Sequence, residues 1–327
     1  MTALLDVRGL RTEFVTPTEV LPAVDDVSFS LQEGEILGLV GESGSGKTVA
    51  CRSLLRLLPS RRARISAGQI WFQGRDLLRL DDDAMRGVRG REISMIFQNP
   101  GSHLDPVAKI GDLVAEPLVW HFGETWAEAR RHAAELLAQV GIPDPKAQLD
   151  RYAHQFSGGM KQRAMIAAAL ACRPRILLAD EPTTALDVTV QAQILRLLLD
   201  LRDRTGLAIV LVTHDIGVVA ETCDSVVVLY GGRVMECGQR DDVLRSPRHP
   251  YTRALLQSQP SGAKPLTDLP SISGQPPALN DLPSGCRFHP RCQYAAERCQ
   301  RSPIELDRVE RDHATACVRW RELVEAT

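Results

Sequence analysis

GESGSGKT, Gly41–Thr48, is the stretch whose reading decides the fold. It fits the phosphate-loop pattern G-x-x-x-x-G-K-[ST] at every fixed position. An apolar run, Ile36 to Val40, precedes it, and a helix-like run, Val49 to Leu58, follows. Strand, glycine loop and helix in that order is what the chemistry needs. Small residues let backbone N–H groups close around phosphate oxygens, and the new helix adds its positive end. Gly41, Ser43, Gly44, Ser45 and Gly46 supply that loop. Lys47 is expected at the β- and γ-phosphates of a nucleotide and Thr48 on Mg²⁺.

The rest of the chain bounds what such a loop serves. Its 327 residues suit two domains, or one large domain with an appendage. Lys and Arg number 39 against 41 Asp and Glu, so the basic excess of a nucleic-acid binder is missing. No apolar run approaches the ~20 residues of a membrane helix. The opening MTALLDVRGL lacks the basic start and long apolar core of a secretory signal. A cytosolic chain is expected, one that works at a membrane only through a partner.

Hydrophobic periodicity outlines an α/β core. Residues 1 to about 95 read as strands with short turns, and Val27, Phe29 and Leu31 alternate with polar residues as in a half-buried strand. Gly68 to Gly74 and Ile93 to Phe97 read as further strands. From about 99 to 160 the character is that of a helical insertion, with Trp126 to Val140 at helical spacing. Met160 to Ala171 and Val188 to Arg204 read as helices, Ile176 to Ala179 and Leu207 to Val212 as buried strands. Ser225 to Tyr230 and Arg233 to Cys237 form a hairpin about Gly231-Gly232. Buried strands alternating with helices imply a parallel sheet. Beyond Pro247, through about Ser284, the chain reads as an irregular Pro-, Ser- and Gly-rich connector.

Reactive groups sit where the strands end. Asp180 follows the strand Ile176 to Ala179 and is assigned to Mg²⁺, with Glu181 beside it as the base for an attacking water. Gln98 ends its strand, where an amide ligates Mg²⁺ or orients water. His214 follows the strand Leu207 to Thr213, placed to bond a γ-phosphate. In FSGGMKQR, Phe156–Arg163, the hydroxyl of Ser157, the open backbone of Gly158 and Gly159 and a helix start together make a second anion site.

The order GESGSGKT, Gln98, FSGGMKQR, ILLADEP (Ile176–Pro182), Ala185-Leu186-Asp187 and His214 resembles the ATP-binding subunit of an ABC transporter. The resemblance implies an ABC-type nucleotide-binding domain: a RecA-like parallel sheet core, an antiparallel β subdomain and a helical insertion. It implies ATP with Mg²⁺ as cofactors and an ATPase. ATP is then sandwiched between two subunits, the phosphate loop of one facing the signature serine and glycines of the other. Asp187 falls in the subunit-crossing loop, Gln98 senses the membrane partner, and Phe14 stacks on adenine. The signature reads FSGGM where the family most often has LSGGQ, with the Ser-Gly-Gly core intact.

HPYT, His249–Thr252, and GCRFHPRCQYA, Gly285–Ala295, resemble the C-terminal extension of the oligopeptide/dipeptide and nickel importer branch. That implies an ATPase domain over 1–250, with its helical insertion at about 99–160, and an extension over 251–327. The implied partners are a second, related but non-identical ATPase subunit, two transmembrane permease subunits and an extracytoplasmic substrate-binding protein. The chain would then lie on the cytoplasmic face of the membrane, powering peptide uptake. Import of nickel or another small solute, and a soluble non-transport ATPase, are the alternatives.

Of eight cysteines, Cys51, Cys172, Cys223 and Cys237 stand singly in apolar contexts and read as small buried hydrophobes. Cys286, Cys292, Cys299 and Cys317 crowd the end with spacing C-x₅-C-x₆-C-x₁₇-C. A reducing cytosol disfavours disulfides, and structural zinc usually takes tighter pairs. Wider, uneven spacing suits a cubane. The branch resemblance also points to a 4Fe–4S cluster, with zinc and unligated thiols as alternatives. His289 and His313 are alternative ligands read as structural.

Overall fold

Val27, Phe29 and Leu31 are buried while Ser30 between them faces solvent, the alternation of a strand with one face on a core. The computed structural model describes the chain apart from residues 1–2, 185, 259–271, 302–303 and 326–327. In chain order its strands are β1 (Leu5–Val15), β2 (Val20–Leu31), β3 (Ile36–Val40), β4 (Ala63–Phe72), β5 (Arg75–Asp76), β6 (Ile93–Ile96), β7 (Ile176–Asp180), β8 (Ala208–Thr213), β9 (Ser225–Tyr230), β10 (Arg233–Gln239), β11 (Asp307–Glu310) and β12 (His313–Thr315). The chain divides into two compact units, one of residues 1–78 and 212–327, the other of residues 79–211.

In the first unit, β2-β1-β4-β5 form an antiparallel sheet whose apolar face buries Val7, Leu10, Val27, Phe29, Ile70 and Phe72. β3 is buried along its whole length and pairs in parallel with β9, as expected of a strand covered on both faces. β9 turns back antiparallel into β10 through Gly231-Gly232. The hairpin expected there forms. On the far side of β10, Glu236 and Cys237 pair with Thr315 and Ala314 of β12, and β11 follows as the last strand. The C-terminal segment thus extends the sheet.

Part of the expected irregular connector is a helix, Pro250–Gln257. Proline at its first turn needs no N–H partner, and the His249 ring accepts from Tyr251 N–H as the cap. Both signals were present in HPYT. A second departure is the helix Asp82–Val88, within a span expected to be strands and turns. Asp81 caps it by accepting from Ala84 N–H. Cys51, Cys172 and Cys223 are buried, but Cys237 is only half-buried on β10.

The second unit holds β6, β7 and the start of β8, with β6 and β7 parallel, and the expected helical region. Trp126–Gln139 begins in a capping box, Thr125 and Glu128 each bonding the other's backbone N–H. It buries Ala129, Ala133, Ala134 and Leu137, the i, i+4, i+8 face of an amphipathic helix. A further helix, Ile110–Phe122, packs on it, and both pack on Gly158–Leu170. Among the described residues no helix is long and apolar enough to cross a membrane.

Candidate functional site

In the first unit the phosphate loop joins β3 to the helix Lys47–Leu54. Two of its glycines are required by contact. Gly41 has φ +148°, and a Cβ there would lie 2.1 Å from the Leu229 carbonyl oxygen. Gly46 has φ +98°, and its Cβ would lie 2.4 Å from the Ala23 carbonyl oxygen. The backbone can pass this close to β9 and β2 only without side chains. Gly46 precedes the helix without a side-chain cap, so the first-turn N–H groups have no capping side chain. Such a helix start is a ready anion site.

Lys47 is buried, and its Nζ donates to the carbonyls of Gly41 at 2.8 Å and Glu42 at 2.9 Å and to Ser45 Oγ at 3.4 Å. The ammonium is curled inside the loop it serves. Gly232 of the β9–β10 turn donates to Ser45 O at 3.0 Å and accepts from Asp25 N–H at 2.8 Å. The Gly-Gly pair is therefore a floor of the loop as well as a turn, which spacing alone could not show. Phe14 is half-buried on β1, paired with Leu21 and Ala63. His214 is exposed directly after β8 and before the helix Ile216–Thr222.

Sequence reasoning missed a set of tethers from the C-terminal segment. Glu42 N–H donates to the Tyr251 hydroxyl at 2.8 Å, and the Glu42 carboxylate takes two bonds from Arg291, at 2.6 and 3.1 Å. Arg287 donates to Gly231 O and pairs with Asp25, which also pairs with Arg233. Burial pushes the Arg287 pKa down to about 10, against the pull of Asp25. Glu236, fully buried, accepts from Arg248 N–H, His249 N–H and His313 Nε2. The only sequence signals were the HPYT and GCRFHPRC runs themselves.

The second unit gathers Asp180, Glu181 and Gln98. Asp180 is fully buried at the end of β7. Glu181 has φ +47°, rare for a residue with a side chain and typical of strained functional positions. Its Oε2 accepts from Gln98 Nε2 and from Thr184 Oγ1, both at 2.8 Å. Gln98 is exposed beyond the end of β6. Ser157 caps the helix Gly158–Leu170 by accepting from Met160 N–H, leaving Gly158 exposed and Gly159 against Val190. Asp187 caps the helix Val188–Thr205. Ala185 lies outside the described residues.

The four C-terminal cysteines come together in the first unit. Cys286, Cys292, Cys299 and Cys317 line one mostly apolar cavity with His249, His289 and Tyr294. None of the eight cysteines is in a disulfide. Burial pushes the Cys317 thiol up to about 12, and the other three cysteines push the same way. Burial pushes Cys286 to about 11 and raises Cys292. No group of three or more His, Cys, Asp or Glu among the described residues is placed to hold a metal ion. His313 Nε2 bonds Glu236, and His289 Nδ1 lies 2.9 Å from its own turn's Cys286 O.

Residues 24–184 match the family of ABC transporters, and residues 235–299 match the oligopeptide/dipeptide transporter C-terminal region. The chain is 49% identical to the probable peptide ABC transporter ATP-binding protein y4tR of Sinorhizobium fredii, over 98% of this chain and 96% of that one. It is 44% identical to the dipeptide transport ATP-binding protein DppD of Escherichia coli, over 96% of each. A solved structure, the ATP-binding cassette MJ0796 bound to ADP and Pi, is 28% identical, with a TM-score of 0.65 over 72% of this chain and 98% of that one.

Proposed function

This chain belongs to the ABC transporter family of ATP-binding proteins, and on that premise we propose that it is the ATPase subunit of a membrane importer of oligopeptides or dipeptides. The observation that carries the reading is end-to-end similarity to peptide-import ATP-binding proteins, the C-terminal region included. The uncapped, glycine-lined loop around Lys47 supports the same conclusion.

Each residue then has a task. Gly41, Ser43, Gly44, Ser45 and Gly46 present backbone N–H groups to the phosphates, and Lys47 turns its charge toward the β- and γ-phosphates. Phe14 stacks on adenine. Glu181 takes a proton from the attacking water, with Gln98 Nε2 and Thr184 Oγ1 both donating to its Oε2. His214 bonds the γ-phosphate. Ser157, Gly158 and Gly159 complete the site of a second, related but non-identical ATPase subunit. Thr48, Gln98 and Asp180 are hard oxygen donors, the chemistry Mg²⁺ prefers, and Mg²⁺ takes few protein ligands because phosphates and water supply the rest. When bound, it neutralises charge on the transferred phosphoryl group.

The ATPase domain is assigned to residues 1–250, with its insertion at about 99–160, and the extension to 251–327. Four thiols on one cavity support a shared group there. A single zinc requires its ligands to converge within about 2.3 Å of one point. Among the described residues no such set converges, so the 4Fe–4S reading, with zinc as the alternative, rests on the cysteine spacing and the branch resemblance. When bound, the cluster supplies cross-links to a short segment with little core of its own. Two permease subunits and an extracytoplasmic binding protein complete the importer, with this chain on the cytoplasmic face.

Purification from membranes with its accompanying subunits, followed by ATPase assays with binding protein and peptides, tests the proposal. Stimulation by peptides is expected. Co-purification without stimulation would sink peptide as the cargo, and failure to co-purify with any membrane subunit would sink transport.

A further inference from the structure

The geometry points to Arg291 and Tyr251 as positioning residues for the phosphate loop, acting through their joint hold on Glu42. This rests on the ATP-binding reading above. Glu42 is the first variable residue of the loop, and each of its polar groups is engaged. Its N–H goes to the Tyr251 hydroxyl, its carbonyl to Lys47 Nζ, and its carboxylate to both terminal nitrogens of Arg291. The loop conformation around Lys47 is thus set in part from residues about 200 and 250 positions later in the chain.

Neither tether can swing away easily. The Arg291 side chain is 7% exposed, and its Nε donates to Ser273 O at 2.8 Å. The guanidinium also donates to the Tyr230 hydroxyl and lies over the Tyr230 and Phe288 rings. Tyr251 is fully buried against the same two rings. A two-pronged arginine–carboxylate pair enclosed in this way is stronger than a surface pair. Arg291 also directly precedes Cys292, and the His249 Nδ1 that accepts from Tyr251 N–H belongs to a ring whose Nε2 lies 3.8 Å from Cys286 Sγ. Arg291 thus lies within the four-cysteine segment, and the helix that carries Tyr251 touches it through its capping His249.

Two consequences for nucleotide binding follow. A loop already held in shape loses less conformational freedom when it closes on phosphates. Arg291 also neutralises a carboxylate that belongs to the loop receiving a highly charged triphosphate. Without Arg291, that carboxylate repels the incoming anion. The second effect separates positioning from mere attachment of the C-terminal segment. Removing the Glu42 charge should then relieve the damage caused by removing Arg291.

The test measures the dissociation constant for Mg–ATP, by competition with a fluorescent nucleotide, on the full chain. Arg291→Ala should weaken binding roughly tenfold, the scale of one charged hydrogen-bonded pair. Adding Glu42→Gln to it should recover part of that loss, and raised salt should narrow the gap. Tyr251→Phe, which keeps the packed ring and deletes only the hydroxyl, should weaken binding roughly three- to tenfold. It tests the proposal even if Arg291→Ala fails to fold. Wild-type affinity in Tyr251→Phe would overturn the proposal. So would an Arg291→Ala loss that Glu42→Gln does not relieve. If the unaltered chain binds no Mg–ATP, the ATP-binding reading itself falls, and this inference with it.

Discussion

Glu181→Gln isolates the proton-transfer step from nucleotide binding. Gln98 Nε2 and Thr184 Oγ1 both donate to one Glu181 oxygen at 2.8 Å. A glutamine can turn its amide oxygen to the same two donors, so the side chain's size, these two bonds and the φ +47° backbone persist. What disappears is the basic oxygen that receives a proton from water. A positioned general base contributes about 10²–10⁴-fold, or about 2.7–5.5 kcal/mol of barrier at about 1.36 kcal/mol per decade. Turnover of the assembled complex, followed by phosphate release, should fall by that factor. The Mg–ATP dissociation constant should stay within about twofold, because the phosphate loop is untouched. Lys47→Ala should show the reverse pattern and weaken binding itself, since it removes the charge meant for the phosphates. Turnover in Glu181→Gln within about threefold of the unaltered chain would refute the assignment of Glu181 as the base.

The four-cysteine cavity should yield iron and acid-labile sulfide in a ratio near one cluster per chain when the protein is prepared anaerobically; stoichiometric zinc without iron would end the cluster proposal. Glu236→Gln should loosen the C-terminal strands. Glu236 has three N–H donors aimed at its two oxygens, and a glutamine must turn its NH₂ toward at least one of them. The lost charged bonds and the stranded donor are worth about 3 kcal/mol, so amide exchange at the β10–β12 pairing should accelerate about 100-fold by hydrogen-exchange mass spectrometry. Unchanged protection there would show that the buried network does not hold the segment.

Much of the nucleotide chemistry was legible in the chain because it is built from contiguous residues. A phosphate loop needs its glycines, lysine and threonine at fixed offsets, since one short turn must wrap one anion. Asp180 and Glu181 could be placed because a buried apolar run ends where its strand ends. The hairpin at Gly231-Gly232 and the helix over 126–139 followed from local turn chemistry and period. The helix Pro250–Gln257 was also locally encoded, by a capping histidine and a first-turn proline, but a Pro- and Ser-rich background obscured it.

Other features have no local signature, because they join residues far apart along the chain. Nothing adjacent to Glu42 announces that Tyr251 and Arg291 will grip it, and nothing near Gly232 marks it as the floor beneath Ser45. The same holds for Glu236 and His313, 77 positions apart. A single buried acid is ambiguous in sequence until folding supplies its donors. The spacing of the four cysteines suggested one group, and only the folded segment brought them to one cavity. The sequence by itself determined the phosphate-binding chemistry and the α/β core, because both are written in short, periodic runs. Tertiary structure alone decided how the C-terminal segment grips that loop, because the grip depends on pairings between distant residues that only packing brings within bonding distance.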